Sequence, residues 1–142
     1  MGYFDRADWH YLGNYPQDLP RENGATHIGM FLAWAIQRGL DNESARKRNL
    51  AALELVRQRE MTGAEFLLKR CDEKFGKFNL NDEGNAFTEA YYEAQYADDY
   101  ERILRGDLPT IYHVQNSWEN FDKIAEVIDR RYEDWRASRG SG

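Results

Sequence analysis

The chain has a single cysteine, Cys71, among 142 residues. One thiol excludes an intrachain disulfide and suits a reducing compartment. No apolar run approaches the roughly 20 residues needed to span a bilayer, so no membrane segment is expected. The start, MGYFDRADWH, lacks a basic region followed by an apolar stretch, and no signal peptide is expected there. A cytoplasmic location is the expectation. There are only three histidines, His10, His27 and His113, and they are far apart along the chain. No His-x-x-x-His pair and no HExxH occurs, so neither a metal nor another cofactor is expected. Histidines satisfied by structural hydrogen bonds are the expected state. His27, at a helix N-terminus, is placed to donate to an acid on the N-terminal segment.

Catalytic signatures are missing as well. No serine lies in a Gly-x-Ser-x-Gly elbow, and no glycine-rich loop follows a strand. Cys71 falls between Leu67 and Phe75 on an apolar stripe, which marks a core thiol rather than a nucleophile. Asp98 and Asp99 are adjacent, and neighbours on a helix point about 100° apart, so they form no ready acid–base dyad. The chain reads as non-enzymatic.

Basic residues are absent from one long stretch. Residues 78–101 hold seven acids and no lysine or arginine. Residues 45–77 hold nine bases and five acids, net +4, within a chain of net charge −6. The overall negative charge argues against a nucleic-acid partner.

What is present argues for a folded helical protein. Apolar residues make up 42% and aromatics 14% of the chain, enough for a core at this length. The expectation is an all-α, single-domain bundle of five to six helices. Residues 1–25, with two prolines and several turn formers, read as an irregular arm rich in aromatics that packs over the helices. Residues 138–142 read as a flexible tail.

THIGMFLAWAIQRGL predicts a central helix, apolar nearly all round, with Thr26 or Asn23 as cap and Gly39 as stop. A second helix is expected from Asn42 or Ser44 to Glu60, with Leu50, Leu53 and Val56 inward. Thr62 and Glu65 form a capping box for a shorter helix that continues through Cys71 to Phe75. TIYHV is β-prone but has no evident partner strand. Trp118, Phe121, Ile124, Ile128 and Tyr132 repeat at helical spacing behind a Ser117 cap.

The acidic stretch, EGNAFTEAYYEAQYADDYE, is the most informative. Tyr92, Tyr96 and Tyr100 are spaced to stack along one helix face, flanked by Glu89, Glu93, Asp98 and Asp99. ADDY resembles a second helix start inside it. Tyrosines could cover the core with their hydroxyls at the rim. The excess charge supports a different reading, because uncompensated acids repel each other and no structural need accounts for them. Tyrosine and carboxylate together suit a grip on a basic partner, with the rings as anchors and the acids steering.

WHYLGNYPQDLPRENGATHIGMFLAWAIQRGL, EGNAFTEAYYEAQYADDYERIL and YHVQNSWENFDKIAEVIDRRYEDW resemble successive blocks of a family of small bacterial proteins of unknown function. The resemblance covers nearly all of residues 3–135. It implies a bacterial, cytosolic, single-domain helical protein and carries no functional residues. Small acidic proteins of this kind look like immunity proteins by analogy.

The expected function is therefore a non-enzymatic immunity protein that neutralises a basic bacterial toxin through the acidic, tyrosine-rich face. One alternative is a small-ligand binder or enzyme with a pocket between the arm and the 26–40 helix, lined by Trp9, His10, His27 and Trp34. Another is a homo-oligomer, a homodimer for instance, that buries the tyrosine stripe against its own copy.

Overall fold

A computed structural model describes residues 3–140 and shows an all-α architecture with one small two-stranded sheet. Met1, Gly2, Ser141 and Gly142 lie outside the described residues. The centre is α2, Thr26–Gln37, in which Thr26 through Ile36 are all buried. An apolar surface on every side requires neighbours on every side. Those neighbours are α4 (Leu50–Arg57), α5 (Gly63–Arg70), the long helix beginning with α6 (Asp82–Tyr91), and α8 (Trp118–Gly140). Gly29 on α2 faces Gly63 at the start of α5, and a Cβ on either would overlap the other's backbone. Glycine at both positions allows the two helices to meet backbone to backbone.

Three of the helix-end signals read from the sequence are formed, but the α2 cap is not: Ala25 occupies that position with no side-chain cap, Thr26 is already helical, and Asn23 donates instead to the Tyr112 carbonyl at 2.9 Å. Thr62 and Glu65 make a reciprocal capping box. Ser117 Oγ accepts from the Asn120 amide at 3.1 Å. Gly39 closes α2 with φ +76. Phe121, Ile124, Ile128 and Tyr132 are buried as expected, while Trp118 is half-buried.

Other expectations are corrected. The arm is irregular only in part: Tyr3–Arg6 forms strand β1, Ala7–Tyr11 forms α1, and Arg21–Ala25 forms a 3₁₀ turn, while residues 12–20 form neither helix nor strand. The helix from Thr62 does not reach Phe75. It ends at Arg70, Asp72 and Glu73 take positive φ, and Lys74–Gly76 forms β2, antiparallel to β1. The helix expected from Asn42 or Ser44 to Glu60 breaks at Asn49 into α3 (Glu43–Arg48) and α4, which leaves Leu50 exposed. TIYHV contains a 3₁₀ turn, Ile111–His113, capped by Thr110. The last helix continues through the expected tail to Gly140.

The acidic helix is continuous but contains two wide turns. After α6 comes a π turn, Tyr92–Tyr96, then α7, Ala97–Tyr100, then a second π turn, Glu101–Arg105. A π turn inserts one residue and rotates everything beyond it. Gly84, Phe87, Thr88 and Tyr91 are the buried positions of α6, and at 3.6 residues per turn the next would fall near 95 and 98. Instead Tyr92, Tyr96, Asp99 and Tyr100 are buried, and Gln95 and Asp98 face water.

Candidate functional site

The tyrosines expected to form an exposed face are core residues. Tyr92, Tyr96 and Tyr100 are 7%, 1% and 0% exposed. Their rings pack on one another and on Phe31, with Tyr92 stacked on Tyr96 at 4.9 Å and Tyr96 edge-on to Phe31 at 5.3 Å. The π turn causes this by rotating the stripe onto α2. The tyrosines therefore cannot anchor a partner or a second copy of the chain without unfolding the helix that carries them. Asp99 is also interior. It accepts from Tyr91 Oη at 2.7 Å, bidentately from Arg131 at 3.0 Å, and from Arg102 at 3.1 Å. Glu89, Glu93 and Asp98 do face water, and Glu89 pairs with Lys77 at 2.8 Å. The acidic face survives as charge without its aromatic anchors.

The residues of the expected second pocket separate into three places. Trp9 is 52% exposed on α1 and lies beside the Arg6 guanidinium. Trp34 is buried against Phe87 and Tyr132 and donates to Asp129 at 2.7 Å. His10 and His27 come together, ring against ring at 4.4 Å, and a carboxylate lies between them. That carboxylate is Asp5, on the strand that the arm was not expected to form. His10 Nε2 meets Asp5 Oδ1 at 2.7 Å, and His27 Nε2 lies 3.4 Å from Asp5 Oδ2. The expected pairing of His27 with an acid on the arm is therefore present.

Tyrosines complete the cluster. Tyr92 Oη donates to Asp5 Oδ2 at 2.7 Å, Tyr96 Oη donates to the His27 carbonyl at 2.6 Å, and Tyr112 Oη contacts His10 Nδ1 at 2.7 Å. Burial alone would raise the Asp5 carboxyl, but hydrogen bonds from His10 and His27 outweigh it and hold Asp5 well below the usual carboxylate range. Burial pushes His27 down, against the pull of Asp5. Tyr100 Oη is buried beside this group with no hydrogen-bond partner.

A concave surface lies elsewhere, also between the arm and α2. The cleft has a volume of about 360 Å³. Its floor is apolar: Leu32 and Ile36 from α2, Leu53 from α4, Phe66 within α5 and Cys71 just beyond its C-terminus. Its rim carries Tyr3 of β1, Arg48, Asn49, Arg70, Lys74, Phe78 and Asn79. Tyr3 and Phe78 meet edge to face at 6.0 Å, and Phe78 is 49% exposed. Lys74 is paired with Asp72 at 3.0 Å. Asp41 also lines the cleft, but its carboxylate is held by Arg46 and Arg57. Arg48 and Arg70 are exposed, and among the described residues neither has an ion pair, hydrogen bond or ring contact. Burial pushes the Cys71 thiol up to about 12, so it is a wall and not a nucleophile. No motif announces this cleft. Its sequence signal is the net positive segment 45–77, read earlier only as charge.

No helix is long and apolar enough to cross a membrane among the described residues. The model of a family described as a domain of unknown function (DUF7832) matches residues 3–114, and the chain belongs to that family. The matched span holds every residue of the cleft and of the Asp5 cluster. No curated protein and no solved structure matches the chain.

Proposed function

We propose that the protein is a non-enzymatic binding protein for an anionic small molecule with an apolar or aromatic body, held in the cleft between β1, α2, α3 and α5. One observation carries this reading: two unpartnered arginines, Arg48 and Arg70, stand over an apolar floor built from core residues. Apolar walls with a few convergent polar groups are what a small-ligand site needs, and 360 Å³ is within the usual range. Guanidinium groups match carboxylate and phosphate geometry through paired N–H donors. Asn49 and Asn79 supply further polar contacts at the rim. Tyr3 and Phe78 offer ring faces to the ligand's body.

Anilinonaphthalene sulfonate, itself an aromatic anion, is a direct probe. Fluorescence titration should give saturable 1:1 binding, weakened at least tenfold by Arg48→Ala plus Arg70→Ala. Both side chains are exposed, so the double variant should fold normally. Equal binding by wild type and double variant would remove the cleft from consideration.

A second reading, the immunity protein, now rests on charge alone. Glu93, Asp98 and Glu101 are exposed and no ion pair engages them among the described residues. They would steer a basic bacterial toxin onto the outer face of the long helix. Association that slows and loses its salt dependence in Glu93→Gln plus Asp98→Gln would favour this reading; an unchanged rate with a captured basic partner would count against it.

A further inference from the structure

We propose that Asp5, His10 and His27 form a binding site for a divalent transition metal of the zinc class. Two imidazoles and one carboxylate are a borderline donor set that suits zinc, cobalt or nickel better than calcium or magnesium. The candidate ligand atoms of the three side chains all lie within 4.8 Å of one another. Donors about 2.1 Å from a tetrahedral zinc are about 3.4 Å apart, from bond length and angle alone. The His27 Nε2–Asp5 Oδ2 separation is already 3.4 Å, and the His10 Nε2–Asp5 Oδ1 separation is 2.7 Å. The two contacts are made to the two oxygens of Asp5, so a carboxylate turned to present one oxygen to both rings, with the His10 ring drawn back, would admit the ion.

The surroundings are those of a supported ligand set. Metal-bound histidines usually hold their other ring nitrogen in a hydrogen bond, and metal-bound carboxylates are held from behind. His10 Nδ1 has Tyr112 Oη at 2.7 Å. Asp5 accepts from Tyr92 Oη at 2.7 Å and from the Arg6 amide at 2.8 Å. Tyr96 Oη fixes the backbone of His27 through its carbonyl. A metal-bound imidazole carries its one proton on the other ring nitrogen. A metal on both Nε2 atoms would therefore leave each ring's proton on Nδ1, where His10 would donate to Tyr112 Oη. The His10 side chain is 21% exposed, against 9% for Asp5 and 6% for His27, so entry is from the His10 side and a water can fill the fourth position.

Two imidazoles from different elements converge on one carboxylate of 9% side-chain exposure, one ring on each oxygen. The three ligands also come from three separate elements, β1, α1 and α2, so a bound ion would tie the arm to the central helix.

The test is calorimetric titration of the chelator-treated full chain with zinc chloride. One saturable site is expected, and His10→Gln should weaken it at least tenfold. Tyr112→Phe should weaken it by roughly tenfold while leaving the three ligands in place. His113→Gln serves as control, because the exposed His113–Asp18 pair is the competing surface site. If His10→Gln fails to fold, the wild-type cobalt complex still decides the matter: intense visible absorption of a four-coordinate centre supports the site, and a weak six-coordinate spectrum overturns it. Absence of saturable binding, or binding abolished by His113→Gln and untouched by His10→Gln, would equally overturn it.

Discussion

Replacing Tyr96 separates a tyrosine core from a tyrosine surface. Its side chain is 1% exposed, packs on Phe31, Tyr92 and Tyr100, and donates a 2.6 Å hydrogen bond to the His27 carbonyl. Truncating a buried aromatic to alanine costs about 3–5 kcal/mol. The lost hydrogen bond adds about 1 kcal/mol. Tyr96→Ala should therefore cost about 4–6 kcal/mol, a large part of the roughly 5–15 kcal/mol that holds a domain together. Tyr96→Phe keeps the ring and should cost only about 1 kcal/mol. Tyr100→Phe provides the contrast. The Tyr100 hydroxyl is buried without a partner, so its removal should be neutral or stabilising. Urea denaturation followed by tryptophan fluorescence measures all three, since the chain has four tryptophans. The reasoning fails if Tyr96→Ala unfolds at the wild-type midpoint, because a side chain that can be truncated without cost is not in the core.

Four further outcomes follow from particular contacts. Gly29→Ala should destabilise by about 3 kcal/mol, at the upper end of overpacking, because the added methyl meets backbone of α5 and not a side chain that can turn away; an unchanged melting temperature would mean that the helices are farther apart. Cys71 should resist a thiol-exchange reagent at neutral pH and react only after unfolding, since burial raises its pKa to about 12; prompt reaction of the native chain would place it outside the core. Burial acts to raise the Asp99 carboxyl, but hydrogen bonds from Arg131, Tyr91 and Arg102 lower it below its ordinary value. Its stabilising contribution is thus complete above about pH 3.9 and lost as the pH falls through the folded-state value, so Asp99→Asn should be less stable at neutral pH and less acid-sensitive, a comparison made by thermal melts across acid pH. Deleting residues 1–6 removes β1 together with Asp5 and Phe4, and should lower the melting temperature by several degrees; a truncated chain that melts like the full one would detach the arm from the fold.

Much of the helical frame was legible because its signals are local. Ile28, Phe31, Leu32 and Ile36 predict α2 from a spacing read within one window, and Ser117 with Phe121, Ile124 and Ile128 does the same for α8. The capping box at Thr62 is likewise contained in four residues. What failed depends on distant partners. β1 and β2 are about 70 residues apart, and three- or four-residue strands carry too little alternation to announce themselves. The tyrosine stripe was misplaced for a different reason. Spacing of 92, 96 and 100 fits one helix face, but Phe87 and Tyr91 fit another, and the adjacent pair Tyr91–Tyr92 marks a phase slip that only an inserted π turn resolves. The Asp5 cluster draws on strand, helix and loop residues as far apart as Asp5 and Tyr112, and the cleft on four helices and both strands. No local pattern specifies such convergence.

The central claim, that the cleft beside Arg48 and Arg70 is where the protein binds an anionic ligand, is tested most directly by amide chemical-shift mapping. Titrating the isotopically labelled chain with anilinonaphthalene sulfonate should shift the amides of Arg48, Asn49, Arg70, Cys71, Lys74, Phe78 and Asn79 along one saturating curve, and leave those of Ala97–Arg105 in place. Shifts concentrated on Ala97–Arg105, or scattered without saturation, would contradict the claim and return attention to the outer face of the acidic helix.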